Sequence, residues 1–201
     1  MKQIASAMPT LRPRLSKCDP RVLKSLLGVG AIFVVLQLCG VAGTVADSFV
    51  IAQLFGAAAV APYAVMYKLF QTSLIFSLFM VPLWPALGEA LARGDYGWAR
   101  AALNRAVQLS MVAGLLLAIV FLAFGQSIVR AWVGDQLVPD FLLVAGFAAW
   151  IVVSAYGGAI TSLLNNRQFL RLQVKIYGGA SIAALALKVP FAYWMGPAGV
   201  V

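Results

Sequence analysis

The sequence predicts an all-α integral membrane protein with about five transmembrane helices. Of its 201 residues, 63% are hydrophobic and only 10% are charged, whereas soluble domains carry about 25% charged residues. The apolar runs, such as 115–124 and 181–187, are continuous, while the strands of a membrane barrel would alternate apolar and polar residues. Because lipid cannot satisfy backbone hydrogen bonds, continuous apolar runs predict helices.

Each predicted span follows from the length of its apolar run, since a helix crosses the bilayer with about 20 residues. The predicted spans are 26–46, 62–83, 106–129, 141–164 and 176–195. They form one transmembrane bundle over 26–201, preceded by a basic leader over 1–25. The leader lacks the apolar core of a cleavable signal peptide, so the first span is expected to remain as a membrane anchor.

The charges between the spans predict the orientation. The leader and the segments 84–105 and 165–175 are net positive, whereas 47–61 and 130–140 are net negative. Positively charged loops remain in the cytoplasm, so the N-terminus is expected there and the C-terminus outside. The net charge of +9 is therefore attributed to topology and to contact with anionic membrane lipids, not to nucleic acid.

The segment 84–105 is predicted to be an amphipathic elbow lying along the inner headgroups. The pair Gly94–Asp95 is expected to break it into two helical pieces, with Asp95 as the N-cap of the second. The alternative interpretation of this elbow is a surface that binds a partner.

Catalytic chemistry is not expected. The chain has no histidine and only six carboxylates, so acid–base catalysis, a metal site and a bound cofactor are not predicted. No glycine-rich phosphate-binding loop occurs. The two cysteines, Cys18 and Cys39, are interpreted as unpaired reduced thiols.

Polar side chains inside predicted spans are the candidate functional residues, because ionisable groups are costly in lipid. The substrate-path candidates are Gln37, Thr44, Asp47, Lys68, Gln71 and Lys188. Pro190 is expected to free the carbonyl of residue 186 and form a polar notch near Lys188. In the alternative interpretation, both lysines reach the outer headgroups and Asp47 lies outside the hydrocarbon.

Several stretches resemble bacterial lipid-linked oligosaccharide (O-antigen) flippases of the multidrug/oligosaccharidyl-lipid/polysaccharide exporter superfamily. They are Asp47–Gly56, Val60–Val65, Pro82–Ala90 with Arg93–Asp95 and Trp98, and Gly196–Val201. The resemblance covers roughly residues 20 to 201. Members of that family typically have twelve to fourteen helices in two bundles, and this chain would match the seventh to eleventh.

The resemblance implies a polysaccharide biosynthesis protein of the bacterial inner membrane that flips an undecaprenyl-pyrophosphate-linked sugar. Substrate in such proteins passes between two bundles by alternating access. The chain is therefore expected to be a truncated form, or a half that needs the missing first bundle or a second copy. The alternatives are a fragment of a multidrug exporter and a non-transporting membrane subunit or remnant.

Overall fold

The computed structural model describes residues 19–73 and 80–201, and in this part of the chain it contains helices and turns but no strand. The helices are α1 (Pro20–Phe55), α2 (Val60–Ser73), α3 (Leu83–Ala92), α4 (Tyr96–Val133), α5 (Phe141–Leu164) and α6 (Leu170–Met195). Short 3-10 turns follow α1, α4 and α6 at Ala57–Ala59, Asp135–Leu137 and Gly196–Val200. Most of the predicted leader, with Cys18, lies outside the described residues.

Four helices are long and apolar enough to cross a membrane: α1, α4, α5 and α6, the last with its following turn. Many of their large apolar side chains, including Val34, Leu38 and Leu116, are more than half exposed. Lipid, not water, is the solvent that such a surface requires. The fold class is therefore confirmed as an all-α membrane bundle, and the chain is a multi-pass membrane protein.

The predicted second span, 62–83, is described only in part. Its first half is α2, and residues 74–79 lie outside the described residues. Pro82 then precedes α3, which begins at Leu83. The structure therefore describes four candidate spans and the beginning of the predicted second one.

Helix α1 is longer than the predicted first span. The Asp19 side chain accepts a hydrogen bond from the Arg21 amide at 2.8 Å, and Pro20 occupies the first turn, as N-termini favour. The helix ends at Phe55 and is followed by Gly56, whose φ of 84° favours glycine. Asp47, placed by one interpretation outside the hydrocarbon, consequently lies inside a continuous helix of 36 residues.

The elbow breaks at the predicted position, but its second piece differs from the prediction. Helix α3 ends at Ala92, and Asp95 caps α4 by accepting a hydrogen bond from the Trp98 amide at 3.0 Å. The second piece of the elbow is not a separate surface helix, because it continues without interruption into the third span. At 38 residues, α4 is about 57 Å long, so one of its ends extends beyond a hydrocarbon core of about 30 Å.

Two helix pairs dominate the packing, α4 with α5 and α1 with α6. Helix α2 contacts α1, α4 and α5 and so connects the two pairs. The main buried cluster takes side chains from every helix except α3, for example Ile51, Met66, Phe121, Phe147 and Ala192. A smaller cluster under α3, around Leu87, Ala90 and Ala99, attaches the elbow to the bundle.

Candidate functional site

An ion pair between Lys188 of α6 and Asp47 of α1 is the central feature of the candidate site. The two side chains come from positions 141 residues apart in sequence and are only 13% and 10% exposed. Each lies within the last third of its helix, eight residues before Phe55 and seven before Met195. Each is therefore about 10–12 Å along the axis from the end of its helix.

Hydrogen bonds surround this ion pair on both partners. The Tyr63 hydroxyl of α2 donates to the second carboxylate oxygen of Asp47 at 2.6 Å. The Lys188 ammonium also donates to the carbonyls of Val200 at 3.3 Å and Gly43 at 3.5 Å. Pro190 lies within α6, and the oxygens that contact Lys188 belong to those two carbonyls and to Asp47, not to residue 186. Lys188 is thus held inside the protein and does not reach towards headgroups.

The ion pair forms part of the wall of a cavity of about 150 Å³ between α1, α2, α5 and α6. Aromatic rings make up much of the remaining wall, namely Tyr63, Tyr67, Phe147, Trp150 and Tyr177. The Tyr63 and Tyr67 rings stack with centroids 6.2 Å apart, and Phe147 lies 5.5 Å from Tyr63. Tyr63, Tyr67 and Phe147 therefore pack in the main core, whereas Trp150 and Tyr177 are about half exposed.

A second cavity of about 390 Å³ lies beside the first and shares Thr44, Tyr63 and Tyr67 with it. Its wall also contains Lys68 and Gln71 of α2, both exposed. The Thr44 hydroxyl donates to the Val41 carbonyl at 3.0 Å, so its lone pairs remain available as acceptors. Of the six predicted site residues, the structure brings five to these two cavities.

Gln37 is the exception. It is a predicted substrate-path residue, but it is exposed and lies outside both cavity walls. The spacing of seven residues places Gln37 and Thr44 on one face, yet the partner helices cover only the later part of that face. Residues on one helical face therefore need not reach one site.

The arrangement has a net positive charge, which limits what it can bind. Lys188 and Asp47 compensate each other, and Lys68 forms no ion pair among the described residues. Among residues 19–73 and 80–201, no cluster of His, Cys, Asp and Glu side chains could hold a metal ion. The two cavities therefore combine one unpaired ammonium with hydroxyl, amide and aromatic groups, which suits an anion attached to a polyhydroxyl group.

Tyr63 is a site residue that is absent from the predicted set. It lies next to the start of the predicted second span, where an interfacial aromatic is expected, but it is 3% exposed and donates a hydrogen bond to Asp47. Trp194 and Tyr193, at the end of α6, are 89% and 72% exposed, as interfacial residues would be. The sequence signal that could have indicated this role is Asp47, because a buried carboxylate needs hydrogen-bond donors such as a tyrosine hydroxyl.

The comparisons with known proteins name no relative. No protein-family model matches the sequence, and neither the curated proteins nor the solved structures contain a significant match.

Proposed function

We propose that this chain forms one bundle of a translocator that moves a lipid-linked oligosaccharide across the bacterial inner membrane. The observation that supports it is a pair of adjoining cavities in a membrane bundle, one between helices and one open at the surface, whose largely apolar walls carry charged, hydroxyl and amide groups. They place Lys68, Gln71 and Thr44 beside the Lys188–Asp47 pair. An ammonium there offsets the desolvation of a pyrophosphate, and hydroxyl and amide groups offer hydrogen bonds to sugars.

The path in this proposal needs a second bundle. Helices α1, α2 and α6 form the polar wall, and alternating access requires another body to rock against that wall. A first bundle or a second copy of the chain would supply it. Undecaprenyl pyrophosphate carrying the sugar is the proposed ligand, as the sequence resemblance implies.

A small-cation exporter is the second candidate, because Asp47 lies among five aromatic rings. Carboxylate and aromatic faces are the groups that attract organic cations. We favour the anionic ligand, because the Asp47 charge is already compensated by Lys188 and the additional charge nearby, on Lys68, is positive. A non-transporting membrane subunit would bind neither ligand.

Binding by the full chain in nanodiscs tests the proposal. A fluorescent undecaprenyl-pyrophosphate oligosaccharide should bind, and Lys68→Gln should weaken binding about tenfold or more, as loss of a charged hydrogen bond does. Lys68→Arg should retain binding. The matched control is Lys175→Gln, which removes an exposed lysine of α6 outside both cavities.

Competition then separates the candidates. The cation exporter would replace the proposal if the chain bound tetraphenylphosphonium but not the oligosaccharide, and if Asp47→Asn abolished that binding. Failure to bind either ligand would favour the non-transporting subunit.

Transport is tested by complementation of a strain that lacks its own flippase. Export should be restored only when the chain has a partner bundle or a second copy.

The proposed orientation has the N-terminus in the cytoplasm. The three positive segments meet at one end of the bundle, since residues of α1, α3 and the α5–α6 turn line one cavity. The turn after α1 and the 138–143 segment meet the end of α6 at another cavity. Reporter fusions after Ala59 and Gln136 should therefore be external, and fusions after Gly97 and Arg171 cytoplasmic. A cytoplasmic reporter after Gln136 would contradict the topology.

A further inference from the structure

A cavity at the positively charged end of the bundle is separate from the candidate site. Its volume is about 850 Å³, and its wall comes from the start of α1, the end of α3 and the turn between α5 and α6. Three basic residues line it, Lys24, Arg167 and Arg171, together with the amides of Asn166 and Gln168. In the part of the chain that the structure describes, no carboxylate belongs to this wall.

The remainder of the wall is apolar. Val29 and Ile32 follow Lys24 along α1, in the direction of its membrane-spanning part, and Leu91 of α3 also contributes to the lining. The volume lies within the range of about 300–1,000 Å³ typical of ligand sites and is far larger than one phosphate needs. The cavity therefore offers room for a charged group together with the first part of an apolar chain.

Arg167 lies on the turn between α5 and α6, and Arg171 lies in the first turn of α6, where hydrogen bonds hold the backbone. The Asn166 amide donates to the Leu163 carbonyl at 3.0 Å and to the Ser162 carbonyl at 3.3 Å. The Gln173 amide, itself buried, donates to the Asn165 side-chain oxygen at 3.0 Å. The nearest acid on α3, Glu89, is paired with Arg93 at 3.4 Å. The backbone that carries Arg167 and Arg171 is thus held by hydrogen bonds within the protein.

We infer that this cavity binds the headgroup of an anionic phospholipid from the adjacent leaflet. The phosphate would lie between Lys24 and Arg171, and the start of an acyl chain would follow Val29 and Ile32. Basic pockets between membrane helices on the positively charged side bind such headgroups. The apolar part of the wall favours a lipid over free phosphate, which has no group to place there.

The test uses the purified full chain, titrated with phosphatidylglycerol and with phosphatidylcholine of the same acyl chains, and bound lipid is counted by native mass spectrometry. Phosphatidylglycerol should bind more tightly. The double variant Lys24→Gln/Arg171→Gln should lose about tenfold or more in that affinity, because both basic groups proposed to hold the phosphate become neutral.

The control Arg100→Gln/Arg105→Gln removes the same charge from exposed positions of α4 outside this cavity and should bind as the wild type does. A second variant, Ala92→Glu, keeps every base but adds an acid to the wall, and should also weaken binding. Thermal unfolding without added lipid checks that each variant is folded. Equal loss in the control, or displacement of the lipid by inorganic phosphate at similar concentration, would overturn the inference.

Discussion

Replacing Lys188 with methionine is expected to destabilise the folded bundle by about 3–5 kcal/mol, the usual effect of leaving one member of a buried ion pair uncompensated. Asp47 would keep its hydrogen bond from Tyr63 but lose the ammonium. Asp47→Leu should be similarly destabilising, because Lys188 would then retain only two carbonyl contacts. The measurement is unfolding of the purified protein in mixed micelles, followed by tryptophan fluorescence.

The double variant Lys188→Met/Asp47→Leu distinguishes this explanation from a simple loss of packing. It removes both charges together, so it should be less destabilising than either single variant, as replacement of buried pairs by apolar residues often is. Lys68→Met is the matched control, since Lys68 is exposed, and it should change stability by less than about 0.5 kcal/mol. If Lys188→Met were no more harmful than Lys68→Met, the ion pair would not support the fold.

The second large effect is expected at Gly114, where α4 packs tightly against α5. A Cβ atom at Gly114 would lie 2.7 Å from the Ala155 Cβ, which is shorter than two methyl groups allow. Gly114→Ala should therefore destabilise the bundle by about 1–3 kcal/mol, as overpacking does. This loss of stability is opposite in sign to the gain that replacing a helical glycine with alanine ordinarily gives.

Gly157→Ala provides the control with the same substitution. Gly157 is on α5, and a Cβ there would meet nothing within 4 Å, so a gain of about 0.5–1 kcal/mol is expected. The compensating variant Gly114→Ala/Ala155→Gly removes the clash and should be more stable than Gly114→Ala alone. Thermal unfolding in detergent measures all three. Stabilisation by Gly114→Ala would show that the helices separate there without penalty.

The sequence alone was sufficient to predict the all-α membrane fold, because the apolar runs are continuous and the polar residues are too few to cover a soluble surface. It was also enough for α5, whose bounds Phe141–Leu164 equal the predicted fourth span. A proline and an aspartate before this helix and polar residues after it mark both ends. It also predicted the Asp95 cap, which depends only on neighbouring residues.

Apolar runs did not predict the helix boundaries where a helix continues beyond its apolar stretch. Helix α6 begins at Leu170, six residues before the predicted span, and α4 begins at Tyr96. Neither extension needs apolar residues, because a helix outside the hydrocarbon core can present polar side chains to water and headgroups. Hydropathy indicates whether a segment lies in lipid or in water, whereas the boundary of a helix depends on capping residues and on breaks in the backbone.

Only the tertiary structure decided which polar groups meet. From the sequence, Lys188 could equally have extended to the headgroups, and Asp47 could have ended a helix. The partnership of Asp47 with Lys188 and Tyr63 requires α1, α2 and α6 to pack together, and no local pattern specifies that packing. The same holds for Gly114 and Gly125, where a Cβ would lie within 3.0 Å of an α5 side chain. Helix periodicity determines the face that a residue occupies, but the neighbour covering that face is chosen by the fit of the whole bundle.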